Sequence, residues 1–233
     1  MDQRIVIVAG HFGSGKTEFS VNYALNLARA GKKTALVDLD IANPYFRSRM
    51  RQTLLEENGI QVYSTVFGQD ITADLPAITA RARAPMEDPD CHVVVDAGGN
   101  DVGARVLIQF KTLLTPDRTD LFFVVNGRRP ETSRLENASR HLEAIQMETG
   151  LSVTGLVNNT HLLLETQVED VLYGAELTNR LSQRYGIPVR YTCVKSDLAD
   201  ELSKALSERP DLKGLEETIV PLELQMRKTW LDR

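Results

Sequence analysis

Two cysteines in 233 residues, Cys91 and Cys193, give no disulfide framework and no C-x-x-C pair for a cysteine-only metal site. Such sparing use of cysteine fits a reducing cytoplasm. The four histidines, His11, His92, His141 and His161, stand in no metal-ligand spacing with cysteines or acids. No Ser/His/Asp array carries a local catalytic signature. No apolar run is long enough to span a bilayer. The N-terminus passes straight into a strand-like run, which leaves no room for a signal peptide. Positive charge is not in excess: 27 Lys and Arg against 32 Asp and Glu give a formal charge of −5. That balance argues against bulk attraction to nucleic acid. Repeats and low-complexity tracts are missing as well.

What is present suits one globular domain over residues 1–233: the chain is 42% hydrophobic, enough for a sizeable core. Apolar β-branched runs predict strands at 5–9, 34–38, 62–66, 92–96, 121–126, 153–158 and 189–193. Several are apolar throughout, as expected of strands buried on both faces. Helical patterns lie between them at 16–30, 73–84, 102–114, 131–149, 168–185 and 197–208. Gly31, Gly150 and Gly186 close three of them. The Pro- and Asp-rich stretch 84–90 reads as a loop, and 47–59 as a polar, helix-prone insertion. The alternation predicts an α/β fold, a mainly parallel sheet flanked by helices on both faces in three layers.

The first strand runs into Gly10-His11-Phe12-Gly13-Ser14-Gly15-Lys16-Thr17, which has the form G-x-x-x-x-G-K-[ST]. A helical pattern follows at once, so the motif sits in the strand–loop–helix context of a P-loop. Gly10, Gly13 and Gly15 let the backbone turn tightly beside a phosphate chain. Successive N–H groups, Ser14 and Glu18 among the contributing positions, and the helix N-terminus supply donors and partial positive charge. Lys16 adds an ammonium for the outer phosphates, and Thr17 a hydroxyl for Mg²⁺.

Ligands in such sheets collect at the carboxyl ends of the strands, and polar clusters fall there. Asp96, closing an apolar strand, is placed to hold Mg²⁺. Gly99 is either a γ-phosphate donor or a turn glycine. Asp38 and Asp40 share one side of an extended segment, where one carboxylate orients an attacking water and the other approaches the metal. Asn158 and Asn159 end the sixth strand, where an amide offers both a donor and an acceptor to a base; the bland reading is a turn pair. No N-K-x-D guanine signature is present, which favours ATP over GTP. Pro188 to Thr192 is a further candidate wall of the base site.

The order Gly-x-x-Gly-x-Gly-Lys-Thr, then Val37-Asp38-x-Asp40, then Val94-Val95-Asp96-Ala97-Gly98-Gly99 resembles the MinD/ParA/CobQ branch of P-loop proteins, the SIMIBI class. The resemblance implies a Mg²⁺-dependent ATP switch that works as a nucleotide-dependent homodimer. It places Lys16 and Thr17 on phosphate and metal, Asp40 near the attacking water, and Asp38 and Asp96 around the metal and switch segments. Many relatives carry a second lysine directly after the first loop glycine; here that residue is His11, a substitute donor or a loop residue packing with Phe12. Arg47 and Arg49 are alternative sources of positive charge, or a solvated helix face. The resulting expectation is a cytoplasmic, slow ATPase acting on a protein partner or in cofactor and enzyme maturation. The alternatives are an ATP-dependent ligase of a small carboxylic acid, gripped by Arg128 and Arg129 or by Arg47 and Arg49, and a sensor that binds without hydrolysis. The tail from Leu222 to Leu231 lacks a clean apolar face, so docking onto the domain or a partner is preferred to membrane binding.

Overall fold

Ile5–Ala9 forms the central strand because every second side chain must be apolar on each face, and all five are. The computed structural model describes residues 2–39, 51–64, 80–98 and 106–226. Its strands are β1 (Ile5–Ala9), β2 (Thr34–Asp38), β3 (Gln61–Tyr63), β4 (His92–Asp96), β5 (Thr119–Val125), β6 (Gly155–Asn158), β7 (Val189–Lys195) and β8 (Ile219–Leu222). They form one eight-stranded sheet in the order β3-β2-β4-β1-β5-β6-β7-β8. Every pairing is parallel.

Helices cover both faces, as the alternation predicts. Val6 and Val8 of β1 join Phe19, Val21, Ala24 and Leu25 of α1 (Lys16–Arg29) and Leu55 of α2 (Gln52–Glu57) in one core layer. Ile5, Ile7 and Ala9 face the other way, onto Ala138 and Leu142 of the helix Leu135–Thr149 and Leu177 and Leu181 of the helix Val168–Tyr185. The chain leaves β1 in one direction along the sheet through α1, and leaves β5 in the other through Leu135–Thr149. Parallel crossovers keep one hand, so opposite directions need opposite faces. The loop after β1 therefore opens at the point where the sheet reverses direction, the usual ligand crevice of doubly wound sheets.

Several sequence expectations are corrected. Residues 80–87 are helical through Pro85, where a loop was expected from 84. Met86 is fully buried, and Arg4 caps the helix end by donating to Met86 O and Cys91 O, each at 2.6 Å. Tertiary burial and a borrowed cap outweigh the proline signal there. Within 102–114 the described part is helical only at 106–108 and then turns. β8 has no counterpart in the sequence reading, because Pro221 demotes it; as the sheet's outer strand it pairs only with β7.

The described part of the tail, through Met226, docks onto the domain. Glu18 accepts Gln225 N (2.6 Å) on one carboxylate oxygen and Met226 N (3.1 Å) on the other. Asn22 and Glu223 exchange two further bonds at 3.0 and 3.1 Å. Arg51 Nε donates to Gln225 O from the other side.

Candidate nucleotide site

The loop's shape follows from its glycines. Gly13 and Gly15 sit at φ +79° and +82°, where a side chain is strained. Close approach adds a second reason at Gly15, because a Cβ there would lie 2.2 Å from Asn159 Nδ2. A Cβ on Gly10 would lie 2.5 Å from Val124 O of β5. Gly15 begins α1 without a side-chain cap. The helix therefore offers uncapped N–H groups and its positive dipole end to whatever enters the loop. Lys16 and Thr17 are buried in the first turn. Among the described residues, Lys16 Nζ reaches only His11 O, at 3.5 Å. The buried Ser14 hydroxyl has no protein partner among the described residues. An anion with several acceptor oxygens fits that donor set.

Asp38 and Asp96 stand opposite each other in register on adjacent strands. Leu36 and Val94, two positions earlier, belong to the core layer under α1. The two-residue period of a strand therefore puts both carboxylates on the face that α1 covers. Both are almost wholly buried, at 4% and 0% exposure. Two buried acids at matching strand ends are oxygen ligands suited to Mg²⁺. Asp40, Gly99, Arg47 and Arg49 lie outside the described residues.

A cavity of about 250 Å³ opens beside the loop. Its loop end is lined by Phe12, Gly13, Gly15, Lys16, Thr17 and Arg129, and its far end by Val194, Lys195, Leu222, Leu224 and Met226. Asn159 and His161 join the two. Asn159 Nδ2 donates to Ser14 O at 2.9 Å and Gly15 O at 3.2 Å, which ties the β6 end to the loop. Asn158 does not line the cavity. Its amide donates to Val171 O (3.0 Å) and accepts from Thr160 Oγ1 (2.8 Å), so it holds the strand end in place. Glu18 lines the cavity, yet its carboxylate is given to the tail. Burial pushes the Glu18 carboxyl above the usual range, and the bonds from Gln225 and Met226 oppose that shift.

Sequence reasoning missed Lys195 and the tail wall, and gave Arg129 only as a grip for a small acid in the ligase alternative. The far wall comes from the end of β7, at Cys193 to Lys195, rather than from Pro188–Thr192. Strand ends bear the ligand side, and 188–192 belongs to the strand's start and middle. Cys193, which the sequence assigns to packing, touches this wall but is buried, and burial pushes its thiol far up.

His11 turns away from the cavity. Its ring lies 4.6 Å from that of His141, on the helix Leu135–Thr149, and its Nδ1 sits 2.9 Å from Phe12 O. Burial lowers the His141 pKa; His11 and Arg140 lower it further, and Glu131 opposes them. A lowered folded-state value means stability that is present above the ordinary histidine pKa of about 6.5 and is lost as pH falls through the folded value. The thermal midpoint of the nucleotide-free protein should therefore fall between about pH 7 and pH 5, and less steeply in His141→Phe. Equal slopes in the two proteins would remove the histidine pair as the cause.

The comparisons with known proteins agree with this geometry. A family model described as the CobQ/CobB/MinD/ParA nucleotide binding domain matches residues 5–220. No curated protein sequence matches. Among solved structures, the signal recognition particle receptor FtsY from Elizabethkingia anophelis in complex with GDP superposes with TM-score 0.52 at 21% identity, over 82% of this chain and 57% of that one. Chloroplast FtsY from Physcomitrella patens gives TM-score 0.54 at 19% identity, over 82% and 58%. The chain thus spans little more than half the length of the FtsY chains it resembles, and at such identities the likeness is one of fold. With the loop, the sheet order and the family match in agreement, the chain belongs to the CobQ/CobB/MinD/ParA nucleotide-binding family, within the SIMIBI class of P-loop NTPases.

Proposed function

We propose that the protein is a Mg²⁺-dependent ATP-binding switch that hydrolyses ATP slowly, as a nucleotide-dependent homodimer, to control a protein partner. The observation that carries the adenine assignment is the chemistry of the cavity wall. Guanine presents adjacent N–H donors that call for a carboxylate. The only acid lining the cavity among the described residues is Glu18, and both its oxygens accept bonds from the tail. Adenine asks for less: an apolar slot and a few polar groups. Leu222, Leu224, Met226 and Val194 supply the first, and the Asn159 carbonyl oxygen and backbone groups the second.

In this reading the loop N–H groups and Lys16 bind and orient the phosphates. Thr17, Asp38 and Asp96 hold the metal, which when bound supplies positive charge to the phosphate oxygens. Asp40 orients the attacking water, and Gly99 contributes an N–H to the outermost phosphate. Hydrolysis is slow because positioning alone lowers the barrier until a partner completes the site.

The test is phosphate release from Mg-ATP and Mg-GTP by the wild type and by a variant carrying Asp38→Ala and Asp40→Ala. The expected result is release from ATP in preference to GTP, and its loss in the double variant. Undiminished release by the double variant would sink the mechanism. A preference for GTP would sink the base assignment alone.

A further inference from the structure

The phosphate loop has a second cation beside it, delivered by a different strand. Arg129 follows the end of β5, which pairs directly with β1. Its Nε donates to Gly13 O at 3.1 Å. A Cβ on Gly13 would lie 3.1 Å from Nε and 3.3 Å from Cζ, so the guanidinium is laid against the loop and Gly13 makes room for it. Among the described residues, that bond is the only one its side chain makes and no carboxylate pairs with it. Its Nη groups are therefore left for another acceptor, in a cavity it lines together with Lys16.

The neighbouring charges sharpen the point. Arg128 is already committed: its Nε donates to Asp170 Oδ1 at 2.7 Å, and its guanidinium lies 4.9 Å from the Tyr173 ring centroid. Lys195 pairs with Asp197 at 3.1 Å. Among the described residues, the buried Lys16 and the half-buried Arg129 remain as two cations with no ion pair, and the one acid lining their cavity, Glu18, faces the tail. Sheltered like charges lining one cavity are unfavourable unless an anion joins them. His11, at the position of the second lysine in many relatives, lies with its ring 4.6 Å from that of His141 and does not line the cavity. Arginine is the better choice for such a task, because its planar fork keeps one edge for the loop and another for phosphate oxygens.

We propose that Arg129 contacts the outer phosphates of the nucleotide bound by its own chain, and so supplies in cis the second positive charge of the phosphate site. This rests on the loop being the nucleotide site, so the experiment separates the two. Binding of Mg-ATP and Mg-ADP is measured by calorimetry on the full chain for the wild type, Arg129→Gln, Arg129→Ala and Lys16→Ala. Glutamine is the informative change: its Nε2 can take the place of the arginine Nε and keep the bond to Gly13 O, while the charged fork is gone. The expected result is that Arg129→Gln weakens ATP at least about tenfold and ADP less, with an unchanged melting temperature without nucleotide. Wild-type ATP affinity in Arg129→Gln would reduce Arg129 to a brace for the loop and overturn the proposal, as would equal losses for ATP and ADP. Should Arg129→Ala alone fail to fold, the glutamine variant still decides. If Lys16→Ala also binds ATP normally, the nucleotide reading of the loop fails and the Arg129 proposal falls with it.

Discussion

Lys16→Ala should abolish phosphate release while leaving the fold intact. The side chain is 5% exposed, yet its ammonium spends little on the protein, with one long contact of 3.5 Å to His11 O. Its removal therefore costs the nucleotide-free protein no more than about 1 kcal/mol. For a bound phosphate chain the loss is of another order. A charge-assisted bond in a sheltered site vanishes, and with it the charge that balances the developing oxyanion. Phosphate release should drop by about a hundredfold or more, the scale seen when one preorganised donor is removed. Melting curves with and without Mg-ATP complete the check, since the wild type gains stability from the ligand and the variant should gain far less. Wild-type release by Lys16→Ala would mean that the turnover comes from elsewhere.

Gly174→Ala should be the most damaging single methyl in the described fold. Gly174 lies within the helix Val168–Tyr185, where alanine is normally favoured. Here a Cβ would lie 2.0 Å from Thr160 Oγ1 and 2.2 Å from Asn158 Oδ1. Those atoms are bonded to each other at 2.8 Å, and Thr160 Oγ1 also accepts Gly127 N at 2.9 Å. The methyl must displace the helix or break this buried set. Overpacking and a lost buried bond together cost about 3 kcal/mol, or roughly 6–12 °C in melting temperature for a chain of this size. Nucleotide affinity should fall as well, because Asn159 and His161 on the same strand end touch the loop at Gly15. Gly31→Ala is the control. It carries the strain of φ +74° but meets nothing within 4 Å, so only about 1 kcal/mol is expected. Equal losses at the two positions would show that backbone strain, not the Thr160–Asn158 contact, sets the effect.

Much of the site was legible because its parts are local. The strand at 5–9, the glycine spacing and the helix from Lys16 are written in thirteen consecutive residues, Ile5 to Thr17, and the structure keeps those boundaries. Asp38 and Asp96 were found as strand-end acids, and the register that faces them toward each other is set by β2 and β4 being neighbours. Asn158 shows the limit. A strand-end asparagine offers its amide to a base or to the backbone equally well, and the choice fell to Val171 and Thr160, which arrive with the next loop and helix. The helix through Pro85 shows the same limit. Its cap, Arg4, lies 82 residues from Met86 in sequence, beyond the reach of any window.

By itself the sequence determined the α/β class, the phosphate loop and the acids that close β2 and β4, because periodicity and motif spacing are short-range properties of a chain. The tertiary structure decided what surrounds the loop. The order β3-β2-β4-β1-β5-β6-β7-β8 sets the ends of β5, β6, β7 and β8 in succession beside β1. That succession lays Arg129 on Gly13, ties Asn159 to Gly15 and walls the cavity with Lys195 and Met226. None of those contacts is fixed by spacing along the chain, because each depends on which strands pair, and pairing is settled only when the whole sheet buries both its faces.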